Sequence, residues 1–100
     1  MANYNVSGLI TLAELAKTKE GNWFVYILKC GDGSLYTGIT NNINKRIQDH
    51  EKGVGAKYTR GRGPFELIFK ENHHDRSSAS KKESEIKKLS KIEKLALTFI

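Results

Sequence analysis

Apolar positions along the chain fall into segments of different period, and each period predicts a different element. From Trp23 to Cys30 the residues are aromatic or β-branched with little polar alternation, the pattern of a strand covered on both faces. Leu35 to Thr40 reads as a second strand, and Gly31-Asp32-Gly33-Ser34 between them is turn chemistry, so the pair makes a β-hairpin. Asn41 or Asn42 then caps a helix over about residues 43–52, with Gly53 as its stop. Phe65 to Glu71 alternates enough for a third strand. Asp75 or Ser77 caps a long helix to about Leu89, with Ala79, Ile86 and Leu89 as its buried stripe. Ser90 with Glu93 forms a capping box that opens a short last helix carrying Ile92, Leu95 and Phe99.

Residues 1–21 stand apart. Asn3, Asn5, Ser7 and Gly8 are turn-formers, and Thr11 with Glu14 makes a capping box around one apolar face of Leu12, Leu15 and Ala16. A helix of about two turns does not hold alone in water. The chain therefore reads as an N-terminal extension with a short helix, 1–21, followed by one domain, 22–100. Its order, β-β-α-β-α-α, predicts an α+β (mixed α/β) fold: a three-stranded antiparallel sheet flanked by helices.

Charge narrows the partner. Lys and Arg number 17 against 11 Asp and Glu, a net +6 with a sequence pI near 9.5, which suits a polyanion because each neutralised phosphate releases counterions. Lys57, Arg60 and Arg62 concentrate in the glycine-rich stretch 53–64, which reads as a flexible basic loop with Tyr58 among its cations. Cys30 is the only cysteine, so no internal disulfide or multi-cysteine metal site exists, and it ends an apolar run as a buried small hydrophobe would. The longest apolar stretch, Trp23 to Leu28, is too short to cross a bilayer, and the N-terminus lacks a secretory pattern. The expectation is a cytoplasmic monomer.

Three positions fit their segments poorly. Gly38 lies inside a strand beside Tyr36, which weakens the strand unless another group needs to approach the backbone closely. Arg46 and His50 share an arc of about 100° with Ile43 and Ile47 on the sheet-facing stripe. Either their stems cover core or they project into a concave site. Glu83 sits about 40° from Ala79 at the edge of the other helix's apolar stripe, where a carboxylate needs a partner. A salt bridge to Arg46 and a divalent cation are the two candidates. Tyr26 and Tyr36, taken alone, are core aromatics with hydroxyls at the surface.

Together these residues form a pattern. Phe24-Val25-Tyr26, then Tyr36-Thr37-Gly38 ten residues on, Arg46, His50, Gly55-Ala-Lys-Tyr-Thr at 55–59, and Arg76-Ser-Ser-Ala79 followed by Glu83 resemble the GIY-YIG nuclease superfamily, most closely its small stand-alone bacterial members. The resemblance implies a metal-dependent DNA endonuclease that hydrolyses phosphodiesters with low sequence specificity, structure-selective in repair or recombination, RNA also being open as substrate. It implies that Tyr26 is the general base on the attacking water, Tyr36 helps hold water or phosphate, and Arg46 binds the scissile phosphate. His50 assists proton transfer, and Glu83 holds one divalent ion, Mg²⁺ or Mn²⁺. Lys57, Tyr58, Arg60 and Arg62 would meet nucleic acid. The rival reading is a non-catalytic nucleic-acid-binding module that keeps the fold.

A phenol, with a reference pKa of about 10, is a poor base at neutral pH. Nearby cations or metal-bound water would have to lower that of Tyr26, a role open to Arg46 and the basic loop. Phe24 stands where the first motif has glycine and Thr37 where the second has isoleucine. Ile39 stands where many relatives place a lysine, for which Lys57 is the candidate substitute. His73-His74-Asp75 reads as a surface turn rather than a metal tripeptide, and Lys81-Lys82 and Lys87-Lys88 as a solvated face. A shared site for both tyrosines adds a parity condition. A two- or four-residue turn pairs Cys30 with Leu35 and sends Tyr26 and Tyr36 to opposite faces. A three-residue turn pairs Cys30 with Ser34, brings both to one face, and calls for Gly33 at positive φ.

Overall fold

A computed structural model describes residues 22–99; the capping box at Thr11 and Glu14 and its expected helix lie outside the described residues. The elements are β1 (Trp23–Lys29), β2 (Leu35–Thr40), α1 (Ile43–Glu51), a 3-10 turn (Lys57–Thr59), β3 (Glu66–His73), α2 (Arg76–Lys87) and α3 (Lys91–Ala96), which runs into a second 3-10 turn. The sheet is antiparallel throughout in the order β2-β1-β3. β1 is therefore central, and Val25, Tyr26, Ile27 and Leu28 are consecutively buried, as an apolar run without alternation requires.

The hairpin register meets the parity condition. Tyr26 pairs with Gly38 and Leu28 with Tyr36, and the Cys30 amide donates to the Ser34 carbonyl at 2.8 Å. Gly33 closes the three-residue turn at φ 85°, a conformation that costs glycine nothing sterically. Directly opposed residues share a face, so Tyr26 and Tyr36 lie together on the face met by His50 of α1.

The other face carries the apolar core. Val25 and Ile27 pack with Ile86 of α2, and Leu35, Ile39, Ile68, Phe69 and Leu97 close around them. Adjacent residues of a regular strand point to opposite faces, yet Ile68 and Phe69 both reach this core. A register shift between Ile27 and Leu28, which pair with Phe69 and Leu67, leaves Ile68 as the extra residue of a bulge.

Capping follows the expected chemistry. The Asn42 side chain accepts from the Lys45 amide at 3.1 Å and that of Asp75 from the Ser78 amide at 2.8 Å. Ser90 and Glu93 form the reciprocal box, and Gly53, at φ 79°, stops α1.

Some expectations shift. β3 continues to His73 and α2 ends at Lys87. On α3, only six residues long, Ile92 is 80% exposed, and it is Leu97 beyond the helix that reaches the core. Residues 53–64 are not a structureless loop. The Arg62 carbonyl accepts from the Gly31 amide at 2.6 Å, and the Arg62 guanidinium bonds the Tyr58 carbonyl at 2.7 Å and pairs with Asp32. No helix among the described residues is long and apolar enough to cross a membrane.

Candidate active site

Gly38 explains how both tyrosine rings approach the strand so closely. The Tyr26 ring lies across the strand pair over this glycine, where an added Cβ would stand 2.8 Å from the phenol oxygen and 2.9 Å from both Tyr26 Cζ and Tyr36 Cε2. A strand glycine opposite an aromatic ring is the close-approach case that the sequence pattern suggested. Tyr26 is 1% exposed, and its ring centroid lies 6.3 Å from that of Tyr36.

His50 sits in the last turn of α1, one of the few polar side chains in the interior. Its Nε2 is 2.9 Å from the Tyr26 hydroxyl and its Nδ1 is 2.8 Å from the Thr59 hydroxyl. The Thr59 hydroxyl in turn donates to the Ala56 carbonyl at 2.8 Å. Gly55 passes so close that a Cβ there would stand 2.5 Å from His50 Nδ1. The rings of Tyr36 and Phe65 flank the imidazole, with centroids at 5.2 and 5.9 Å. Thr59 completes this chain of contacts, and no spacing rule singled it out. Its only sequence signal was membership of the segment 55–59.

The electrostatics correct one expectation. The Tyr26 phenol is not lowered but pushed up to about 12. Burial is the main cause, the neighbouring Tyr36 phenol adds to it, and the Arg46 guanidinium beside the ring only partly offsets them. Being central in the sheet costs the phenolate more hydration than one cation restores. His50 moves below its usual value, through burial first and then the Arg46 charge, with Asp49 opposing. At neutral pH the pair is therefore a neutral phenol and a neutral imidazole.

Arg46 is half-buried and lines a surface pocket of about 270 Å³ with Thr40, Asn41, Asn42, Lys45 and Asp49. A second pocket of about 320 Å³ is lined by Leu35, Tyr36, Thr37, Tyr58, Lys87 and Lys94. Glu83 pairs with Lys87, one turn on, at 3.2 Å and not with Arg46. Its charge still raises the Tyr26 phenol, which puts the carboxylate within electrostatic reach of the site.

No cluster of three or more His, Cys, Asp or Glu side chains able to hold a metal occurs among the described residues. A lone carboxylate fits a hard divalent ion that keeps several waters and takes further oxygens from a substrate phosphate, as Mg²⁺ does, and does not fit an ion that demands a protein cage.

The remaining candidates divide. Lys57 and Arg60 are exposed. Tyr58 stacks on Tyr36 with centroids 6.1 Å apart and carries the Arg62 guanidinium over its ring at 4.4 Å. Arg62 is thus a clamp on the loop as well as a cation. Ile39 belongs to the core, so no cation replaces it there. His73 bonds Ser78 and Glu71, at 2.6 and 2.8 Å, and His74 meets Asp75 at 3.3 Å.

Comparison with known proteins agrees with this geometry. Residues 22–96 match the GIY-YIG catalytic domain. A UPF0213 protein of Oceanobacillus iheyensis is 55% identical over 74% of this chain and 86% of its own length. One from Desulfotalea psychrophila is 51% identical over 81% of this chain and 74% of its own. Two solution NMR structures are similar. The UPF0213 protein of Bacillus halodurans has a TM-score of 0.51 at 47% identity, covering 78% of this chain and 83% of that one. An E. faecalis protein has a TM-score of 0.54 at 38% identity, covering 78% of this chain and 84% of that one. With its two tyrosines on one face of a β-hairpin, the chain belongs to the GIY-YIG family and, within it, is a relative of the small UPF0213 proteins.

Proposed function

We propose that this chain is a divalent-metal-dependent endonuclease that hydrolyses phosphodiester bonds in DNA, with low sequence specificity and a role in repair or recombination. The observation that carries the reading is the Tyr26 hydroxyl held 2.9 Å from the imidazole of His50, beside Arg46. Among the described residues, this hydrogen bond joins a buried phenol to a buried imidazole beside a guanidinium.

The energetics decide how Tyr26 works. Burial pushes its phenol up to about 12, while burial and the Arg46 charge hold the His50 imidazole below its usual value. Moving the proton from the raised phenol to the lowered imidazole in advance is uphill. A standing phenolate is therefore not the base. Instead, Tyr26 relays: as the attacking water's proton reaches the phenol oxygen, the phenol's own proton passes to His50 Nε2. The final acceptor is then an imidazole that rests neutral at neutral pH, as a general base must. Arg46 offers its guanidinium to the phosphate as negative charge builds on it. Tyr36 walls the water side of the relay and supports Tyr58. Glu83 is the residue that would hold the divalent ion, which when bound supplies charge neutralisation at the phosphate. Lys57 and Arg60 contact flanking phosphates, which position a strand without reading its sequence.

The test is Mg²⁺- or Mn²⁺-dependent nicking of supercoiled and branched DNA by the purified chain and by Glu83→Gln. The wild type should cut only with the ion. The variant should bind DNA and melt normally while losing cleavage at least a hundredfold, since an amide matches the carboxylate in shape but is a poor ligand for a hard cation. Full activity in the variant removes Glu83 from the metal site. No cleavage by the wild type under any metal leaves the non-catalytic binding module as the correct reading.

A further inference from the structure

We infer that Thr59 is a positioning residue that fixes the tautomer of His50, so that the imidazole turns a bare acceptor nitrogen toward Tyr26. Its consequence for cleavage rests on the nuclease reading above. The tautomer itself does not, and can be read in the absence of any activity.

The inference follows from counting protons. A threonine hydroxyl has one proton to give. The Thr59 Oγ1 lies 2.8 Å from the Ala56 carbonyl oxygen, which can only accept, so that proton is committed there. What Oγ1 then presents to His50 Nδ1, 2.8 Å away, is a lone pair. Two lone pairs at that distance repel, so Nδ1 carries the hydrogen and donates. A neutral imidazole has only one N–H. Nε2 is consequently bare, and at 2.9 Å it accepts from the Tyr26 hydroxyl. The whole line therefore runs one way, from Tyr26 O–H to His50 Nε2 and from His50 Nδ1–H through Thr59 to the Ala56 carbonyl.

Burial keeps the line from being rewired. His50 and Thr59 are each 1% exposed, so water does not compete at either nitrogen. The Gly55 backbone covers Nδ1 so closely that no side chain fits between them, and Thr59 is the polar partner that remains. The reverse tautomer would need the Thr59 hydroxyl to abandon the Ala56 carbonyl and turn its proton to Nδ1. It would also place an N–H against the phenol, leaving Tyr26 with no acceptor for the proton it must pass on.

The placement is also economical in sequence. Thr59 is the last residue of the 3-10 turn that displays Lys57 and Tyr58. The segment that would meet the nucleic acid backbone and the segment that orients the base are thus one turn, with its inward residue on His50 and its outward residues in solvent. The side chain that touches the reacting groups is His50; Thr59 acts through it.

The experiment is nitrogen-15 NMR of the histidine rings near neutral pH, on the wild type, Thr59→Val and Thr59→Ser, together with single-turnover cleavage. Valine keeps the branched shape and removes the hydroxyl; serine keeps the hydroxyl. In the wild type, the two-bond proton–nitrogen pattern of His50 should show Nδ1 protonated and Nε2 bare. Thr59→Val should raise the population protonated at Nε2 and lower the cleavage rate about ten- to a hundredfold, the usual effect of removing the partner that orients a working histidine, with KM little changed. Thr59→Ser should restore both the pattern and most of the rate. A wild-type His50 protonated at Nε2 overturns the inference outright, whether or not Thr59→Val folds. So does a Thr59→Val protein with an unchanged ring pattern, or a Thr59→Ser protein that loses the Nδ1–H form. If the ring patterns behave as stated and no variant or wild type cuts DNA, the nuclease reading fails and the positioning role stands.

Discussion

Replacing Gly38 by alanine puts a methyl group where three ring atoms already stand. The new Cβ would lie 2.8 Å from the Tyr26 oxygen and 2.9 Å from Tyr26 Cζ and Tyr36 Cε2. Relief requires a movement of roughly 0.6–0.7 Å, since ordinary contacts between such atoms begin at about 3.5 Å. Tyr26 has nowhere to go, being 1% exposed and bonded to His50. Overpacking of this kind costs about 1–3 kcal/mol. Alanine recovers about 0.5–1 kcal/mol over glycine in a strand, so the net loss is about 1–2 kcal/mol. Activity should fall further than stability implies. A 1 Å misplacement of a reacting group costs about a hundredfold, and two thirds of that displacement about twentyfold in the cleavage step. The control is Gly33→Ala. Gly33 has φ 85° and nothing nearer than Lys91 Nζ at 4.0 Å, so alanine there strains backbone by about 1–2 kcal/mol and moves no ring. Urea denaturation and single-turnover cleavage of both variants check the reasoning. Equal stability losses with a cleavage defect in Gly38→Ala alone is the expected result. A Gly38→Ala protein that cuts at the wild-type rate refutes it.

Further outcomes follow from the charges. Because burial and Arg46 lower the His50 pKa, the neutral working form persists below 6.5. The acid limb of the pH–rate profile should have its midpoint under that value, and a midpoint above it contradicts the assignment. The same group contributes stability that is complete above its unfolded pKa and lost as pH falls through the lower folded one. Tyr26 runs the other way: its contribution is complete below 10 and lost as pH rises toward about 12. At the loop, Lys57→Ala and Arg60→Ala should each reduce the slope of log affinity against log salt by about one, uniformly across sequences. Arg62→Ala should in addition lower thermal stability, because it holds Tyr58 and Asp32. Salt-titrated binding isotherms with melting curves distinguish the two, and unchanged slopes for Lys57→Ala and Arg60→Ala would remove both from the interface.

Most of the fold was legible because its signals are periodic and local. The continuous apolar run from Val25 to Leu28 marks a strand covered on both faces, and the shared site that the resemblance implies required the three-residue turn that puts Tyr26 and Tyr36 on one face. Asn42, Asp75 and Ser90 announced the helices they cap. What was not legible depends on contacts between segments far apart in sequence. Thr59 reaches His50 because the 3-10 turn folds back under α1, and no periodicity encodes that. The Tyr26 pKa was misjudged in sign for a related reason. Neighbouring cations can be counted in a sequence, whereas the hydration lost by a phenol at the sheet's centre cannot. The partner of Glu83 was within reach, since Lys87 four residues on is the standard helical ion pair.

The relay through Tyr26 is the centre of this account, and Tyr26→Phe isolates it. The substitution removes one oxygen from a ring whose packing it leaves in place, so urea denaturation should show a fold still intact. With saturating Mg²⁺ and DNA bound as tightly as by the wild type, the single-turnover cleavage rate should fall by about 10²–10⁴, the usual share of positioned acid–base catalysis. Cleavage at the wild-type rate by a folded, DNA-bound Tyr26→Phe protein would contradict it.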